Sequence, residues 1–259
     1  MTLIVCLKAR DCFVIAADSL TSRGQNTLNS ATVKLHRVGP NAVVANCGLA
    51  MVGGKYWDGI LSGFTPSGTG TPLATTSNDL QIFLSGVIGG VPKNNVGACA
   101  GGNTFLLAGY DSAASCMGVS KLRRIGDRRV FEERMNYLIP SSCYYVEWLG
   151  DTTSIMKYIN KKTKCYHADM SQQDAVTFAV NAIRGGITAS QAAGKTTIGG
   201  DVIQVAIVSD TNVVFSNHSP IPASFYQHLI DTVQNVWKDL KARFHVAGMR
   251  IRKGIGRKV

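Results

Sequence analysis

Long apolar runs cut by short polar turns dominate the first fifty residues. Residues 2–8 (TLIVCLK) and 13–18 (FVIAAD) are β-rich runs on either side of the turn Ala9-Arg10-Asp11. Residues 33–38 (VKLHRV) and 42–46 (AVVAN) flank Gly39-Pro40-Asn41, a turn-forming triplet. The pattern predicts two hairpins, the first opening on a strand expected to be buried. Between them, residues 20–31 are rich in Ser, Thr, Asn and Gly and are expected to form a loop.

Beyond residue 48 the pattern weakens. Residues 63–76 form a polar, glycine-rich connection, after which Ser77 is expected to cap a helix carrying Leu80, Phe83, Leu84 and Val87. Residues 104–110 (TFLLAGY) and 143–148 (CYYVEW) are expected strands, and the charged segment 121–134 is expected at the surface. A short helix is expected over 153–161. Ser171-Gln172-Gln173-Asp174 has the form of a capping box. It opens a helix with Ala175, Phe178, Ala179, Ala182 and Ile183 on one stripe, stopped by Gly185-Gly186. Two strands follow, at 201–209 and 212–215, and then a last helix whose stripe runs from Phe225 to Phe244. Strands, helices and strands again in one chain predict a layered α+β or α/β fold. No internal repeat or interdomain linker interrupts it, so a single domain over residues 1–259 is expected.

Composition narrows the class. The chain has 259 residues, 45% hydrophobic and 17% charged, which excludes a disordered chain and permits a large core without a metal or disulfide staple. The formal net charge is +11, yet seven basic residues and no acid lie in residues 241–259, leaving a nearly ordinary body. That tail is expected to be a solvated basic C-terminal extension, with nucleic acid or anionic lipid as the alternative partner. Seven cysteines without a CxxC pair fit reduced thiols packed as small hydrophobes. Neither a signal peptide nor an apolar run of membrane-spanning length is found, so a cytoplasmic protein without membrane contact is expected.

Most familiar chemistry is absent. ASQAAGKT (189–196) falls one residue short of a phosphate loop and is expected between helix and strand, the reverse of the required order. The five histidines show no metal-ligand spacing, and no GxSxG elbow is present. No metal and no cofactor are expected. Thr2 is different. Initiator methionine before a small residue is normally removed, which leaves a hydroxyl and a free α-amine on one residue. An α-amine titrates near roughly 7.7 to 8, so it can accept the hydroxyl proton at neutral pH. That is the N-terminal form of an activated nucleophile.

The strings TLIVCLKARDCFVIAADSLTS and ATVKLHRVGPNAVVANCGLA resemble the opening of proteasome β-subunits and of their bacterial relative HslV, which are N-terminal-nucleophile (Ntn) hydrolases. The likeness continues at FLLAGYDS (105–112), SQQDAVTFAVNAI (171–183) and IGGDVIQVAIV (198–208). The resemblance implies an α+β fold of the four-layer αββα sandwich type. It implies a threonine endopeptidase that self-assembles into a ring or double ring and acts on peptides or unfolded protein. By position, Thr2 matches the nucleophile, Asp18 and Lys34 its charged partners, and Gly48 the backbone donor to the oxyanion. Thr21, Ser22, Gly48 and Ala50 match positions that pair an extended peptide through main-chain hydrogen bonds. Thr32, His36 and Asn46 match the lining of the first specificity pocket, here a polar one.

Three departures accompany the likeness. Leu20 stands where the family often has Arg. Gly150-Asp151-Thr152 replaces a Gly-Ser-Gly turn, giving Asp151 a supporting place. Residues 195–200 lack the family's late Asp and Ser. These features resemble the bacterial Anbu type and the betaproteobacterial proteasome homologue. They leave two alternatives to peptidase activity: a ring-forming scaffold with weak or no proteolysis, and a nucleic-acid-binding protein acting through its basic tail. Whether an ATPase unfoldase docks is not legible in the sequence.

Overall fold

The computed structural model describes residues 2–23, 26–68, 72–92, 102–124, 128–150, 152, 167, 169–195 and 198–221. The expected helices at 153–161 and 225–244, the tail from 241, and Asp151 lie outside them. The described residues up to Pro220 belong to one compact unit.

Mixed α and β content is arranged around two five-stranded antiparallel sheets. The first sheet follows the order β12-β1-β2-β13-β14. Its members are β1 (Leu3–Lys8), β2 (Phe13–Asp18), β12 (Val146–Gly150), β13 (Ile203–Val208) and β14 (Val213–His218). The second, ordered β11-β10-β9-β6-β5, contains β5 (Leu35–Arg37), β6 (Ala42–Cys47), β9 (Asn103–Asp111), β10 (Cys116–Arg124) and β11 (Glu132–Ile139). Two small hairpins, β3 (Thr21–Arg23) with β4 (Asn26–Asn29) and β7 (Met51–Val52) with β8 (Lys55–Tyr56), complete the strands. The helices are α1 (Trp57–Leu61), α2 (Leu73–Gly89) and α3 (Gln172–Ala192).

The alternation of side chains along the strands sets three cores. Ile4, Cys6, Phe13, Ile15 and Ala17 join Val43, Ala45, Leu106 and Ala108 in one cluster drawn from both sheets. Leu3, Val5, Leu7, Val14 and Ala16, on the opposite face of β1 and β2, pack against Ala175, Ala179 and Ile183 of α3. Val44, Phe105 and Leu107 pack against Trp57 of α1 and Leu80 and Leu84 of α2. Every residue of β1 and β2 is buried, as their unbroken apolar runs predict. Each fully buried Leu, Ile, Val or Phe in these clusters contributes roughly 1.5–3 kcal/mol.

The differences from expectation have local causes. Residues 20–31 contain the β3–β4 hairpin, whose polar residues give no alternating signal because Asn26, Thr27 and Leu28 are all exposed. α2 begins at Leu73, where the Asp111 carboxylate accepts the Leu73 N–H at 2.8 Å. Ser77 lies inside the helix, with its hydroxyl on Ser120 and Glu133. α3 begins at the expected cap, with Ser171 Oγ accepting the Asp174 N–H at 3.1 Å. It then runs through Gly185-Gly186 to Ala192, because Ala182, Ile183, Gly186 and Ile187 stay buried along it. The charged segment at 121–134 contributes to β10 and β11 rather than lying wholly at the surface: Leu122, Arg124 and Phe131 are buried. The expected strand at 143–148 begins three residues later, at Val146.

Candidate functional site

Thr2, just before β1, and Asp18, the last residue of β2, are brought to the same end of the sheet by the antiparallel register Ile4↔Ala17. Thr2 itself is buried. Its backbone carbonyl runs so close to Gly150 that a Cβ there would fall 1.6 Å from the Thr2 oxygen, and Gly150 holds φ +95°. Only glycine fits that approach.

The Asp18 carboxylate is the hub of the region. Oδ1 accepts the Leu3 N–H at 2.7 Å and the Lys34 ammonium at 2.8 Å, while Oδ2 accepts the Gly199 N–H at 3.0 Å. The carboxylate is fully excluded from solvent, so these donors replace the water it loses. Lys34 gives a second proton to the Leu20 carbonyl at 2.7 Å. Its third ammonium proton has no partner among the described residues. Burial lowers the Lys34 pKa, and the charge and hydrogen bond of Asp18 oppose that shift.

Lys34 is placed from behind by a residue the sequence did not single out. Gln204 on β13 accepts the Lys34 N–H at 2.8 Å and donates to the Thr32 carbonyl at 2.7 Å. The late loop contributes backbone where its Asp and Ser are missing: the Gly199 carbonyl accepts the N–H groups of Ser19 and Leu20. No sequence signal marks these main-chain roles beyond the Gly199-Gly200 pair itself.

The remaining candidate residues divide. Thr21 and Thr32 share a hydroxyl–hydroxyl bond of 2.7 Å. His36, nearly buried, approaches Asn46 Oδ1 through Nε2 at 3.3 Å. Burial lowers the His36 pKa, with the Asn46 hydrogen bond and Asp58 acting against it. Ser22 is half-buried in the short β3 strand. The Ala50 carbonyl accepts the Trp57 N–H at 3.3 Å, which ties it to the start of α1. Gly48 follows β6 at φ +109°, and a Cβ there would lie 2.3 Å from the Gly102 carbonyl oxygen. Among the described residues no cluster of His, Cys, Asp and Glu could hold a metal ion. The cysteines described, Cys6, Cys12, Cys47, Cys116 and Cys143, are free thiols. Burial pushes the Cys12 thiol up to about 11, so it is no nucleophile at neutral pH.

Chemically, the region offers a buried threonine at a strand start, a buried ammonium beside a carboxylate, and a tightly packed glycine at positive φ. A family model described as a proteasome subunit matches residues 2–51. Ten of the eleven candidate site residues, all but Asp151, fall within that stretch. Over that stretch the chain is similar to proteasome subunits. No curated protein matches the chain. No described helix is long and apolar enough to cross a membrane.

Proposed function

We propose that the protein is a self-compartmentalising threonine peptidase whose nucleophile is Thr2, exposed as the N-terminal residue when Met1 is removed. The observation that carries the reading is the Asp18 carboxylate. One of its oxygens takes both the Lys34 ammonium and the amide of Leu3, the residue joined to Thr2. A cation is thereby held beside the first residues of β1.

In the proposed reaction the Thr2 α-amine takes the hydroxyl proton, directly or through a water, and Oγ bonds to the peptide carbonyl carbon. Lys34, held by Asp18 and the Leu20 carbonyl, favours the deprotonated oxygen. The negative charge moves to the carbonyl oxygen, where the Gly48 N–H receives it. The tetrahedral intermediate collapses, and the ammonium returns its proton to the departing amine as the C–N bond breaks. Water then hydrolyses the ester on Thr2, and the amine again serves as base. The extended substrate lies along Thr21, Ser22, Gly48 and Ala50, and its side chain enters the space lined by Thr32, His36 and Asn46.

The two sheets with helices packed on both are read as a four-layer αββα sandwich, one domain with a basic C-terminal extension, and Asp151 as a support near Thr2. Copies assemble into a ring or double ring in the cytoplasm of a bacterium. Intact-mass spectrometry of the native protein tests the premise: retained Met1 rules out the peptidase. With Met1 absent, hydrolysis of peptide reporters is expected from the wild type and lost in Thr2→Ala. Undiminished hydrolysis in Thr2→Ala refutes the assignment. A monomeric mass by light scattering at micromolar concentration contradicts the ring. A ring without hydrolysis leaves the scaffold, the reading favoured by Leu20 and the missing late Asp and Ser.

A further inference from the structure

Gly48 has a polar neighbour that the mechanism above does not use. Asn103 opens β9 and is wholly buried, and among the described residues neither Oδ1 nor Nδ2 of its carboxamide has a hydrogen-bond partner. The β6–β9 ladder reaches Cys47↔Thr104, so the next step sets Asn103 across from Gly48. The contact is close. A Cβ on Gly48 would lie 2.7 Å from Asn103 Oδ1 and 3.0 Å from Asn103 Cα.

An unpaired buried amide is costly, about 1–3 kcal/mol for each group left without a partner. A leucine of similar volume would fill the same space without that cost. Buried groups without partners are rare enough in folded proteins that each calls for an explanation. Here the amide lies against the one glycine whose N–H is proposed to meet a developing negative charge. Packing around it is tight, because Phe105, two residues on, stacks edge-on against Trp57 at 4.8 Å and Phe131 at 5.4 Å. The strand beneath Asn103 is therefore held firmly, while no hydrogen bond fixes which end of its carboxamide faces Gly48.

We propose that Asn103 is a positioning residue for the Gly48 peptide group. It fills the space behind the glycine so that the Gly48 N–H cannot recede. The carboxamide, whose Oδ1 lies nearest Gly48 in the structure, also rotates to bring the positive Nδ2 end of its dipole toward that peptide as charge grows on the substrate oxygen. A dipole in a water-free setting acts more strongly than the same group in water. The inference rests on the peptidase reading of Thr2 and Gly48.

The test is the rate of Thr2 acylation by a small β-lactone, followed by intact mass on the assembled full-length protein. Asn103→Leu keeps the volume and removes the dipole. Its saturation constant is expected to stay near the wild-type value while the maximal rate falls about 10- to 100-fold, below the loss seen for a direct oxyanion donor. Asn103→Asp keeps the shape and adds a titratable charge. Its rate is expected to approach wild type at low pH and to fall as the carboxyl ionises, a titration absent from the wild-type profile. If Asn103→Leu does not fold, the Asp variant alone carries the test. An Asn103→Leu protein that acylates at the wild-type rate overturns the inference. So does a loss confined to the saturation constant, or an Asn103→Asp profile that superimposes on wild type. Wild-type protein that is never acylated removes the peptidase reading and this inference together; acylated wild type with unaffected variants removes this inference alone.

Discussion

Lys34 and Asp18 meet at 2.8 Å with their side chains 3% and 0% exposed. Neither charge has water to fall back on. For such a pair the desolvation of two ions offsets most of the Coulomb gain, so its worth lies in what happens when one partner goes. Asp18→Asn leaves the Lys34 ammonium uncompensated beside the Leu20 carbonyl. It is expected to destabilise the fold by roughly 3–5 kcal/mol. The double variant Asp18→Asn/Lys34→Met is expected to recover part of that loss. Urea denaturation of the wild type, Asp18→Asn, Lys34→Met and the double variant checks it: strictly additive losses mean the pair is not coupled.

Gly48→Ala places a methyl 2.3 Å from the Gly102 carbonyl oxygen at a φ of +109°. Both the clash and the backbone conformation oppose it, so a loss of at least about 1–3 kcal/mol is expected. Peptide hydrolysis should fall with it, because the turn after β6 must move to relieve the contact. Alanine tolerated at wild-type stability and activity argues against a fixed backbone here.

His36 supplies a pH dependence with a definite sign. Burial lowers its pKa from 6.5, so between the folded-state value and 6.5 the unfolded chain holds more protons. Stability therefore rises with pH across that window, and is lost as pH falls from 6.5 through the folded-state pKa. His36→Gln lacks this loss. The stability difference between wild type and variant, measured by denaturant at about pH 7.5 and about pH 5, is expected to shrink on acidification. A difference that grows on acidification would mean that the histidine gains a proton on folding.

Gln204 is expected to matter although it touches no reacting group in the proposed mechanism. Gln204→Leu strands the Thr32 carbonyl and the Lys34 N–H, at about 1–3 kcal/mol each. Gln204→Glu keeps an acceptor for Lys34 and strands only Thr32. A graded loss, larger for Leu than for Glu in thermal or urea unfolding, checks the two bonds separately.

The parts legible in the sequence are those with dense local signals. Residues 2–8 and 13–18 could hardly be anything but buried strands, and Ser171 and Asp174 announce the start of α3. β10 and β11 were hidden because charged residues such as Lys121, Arg124, Glu133 and Arg134 interrupt their apolar positions, even though β10 is largely buried. The continuation of α3 through Gly185-Gly186 was hidden because tertiary burial of Gly186 and Ile187 outweighs the low helix propensity of glycine. In the candidate site, Asp18 and Lys34 were legible only through the likeness of their strings to proteasome β-subunits. Gly199 was not, since its contribution is a main-chain N–H, and Asn103 was not, since nothing in its neighbours predicts an amide left without partners.

The Asp18 carboxylate gathers its donors from Leu3, Lys34 and Gly199, which span almost the whole described chain. Contacts so distant in sequence form late, because the long intervening loops must close first. A chain still emerging from synthesis, or one that has lost only the loop around Gly199, leaves Asp18 short of a donor and Lys34 poorly placed. If the peptidase reading holds, the arrangement would act as an internal safeguard: the site around Asp18 is completed only when the late loop has folded.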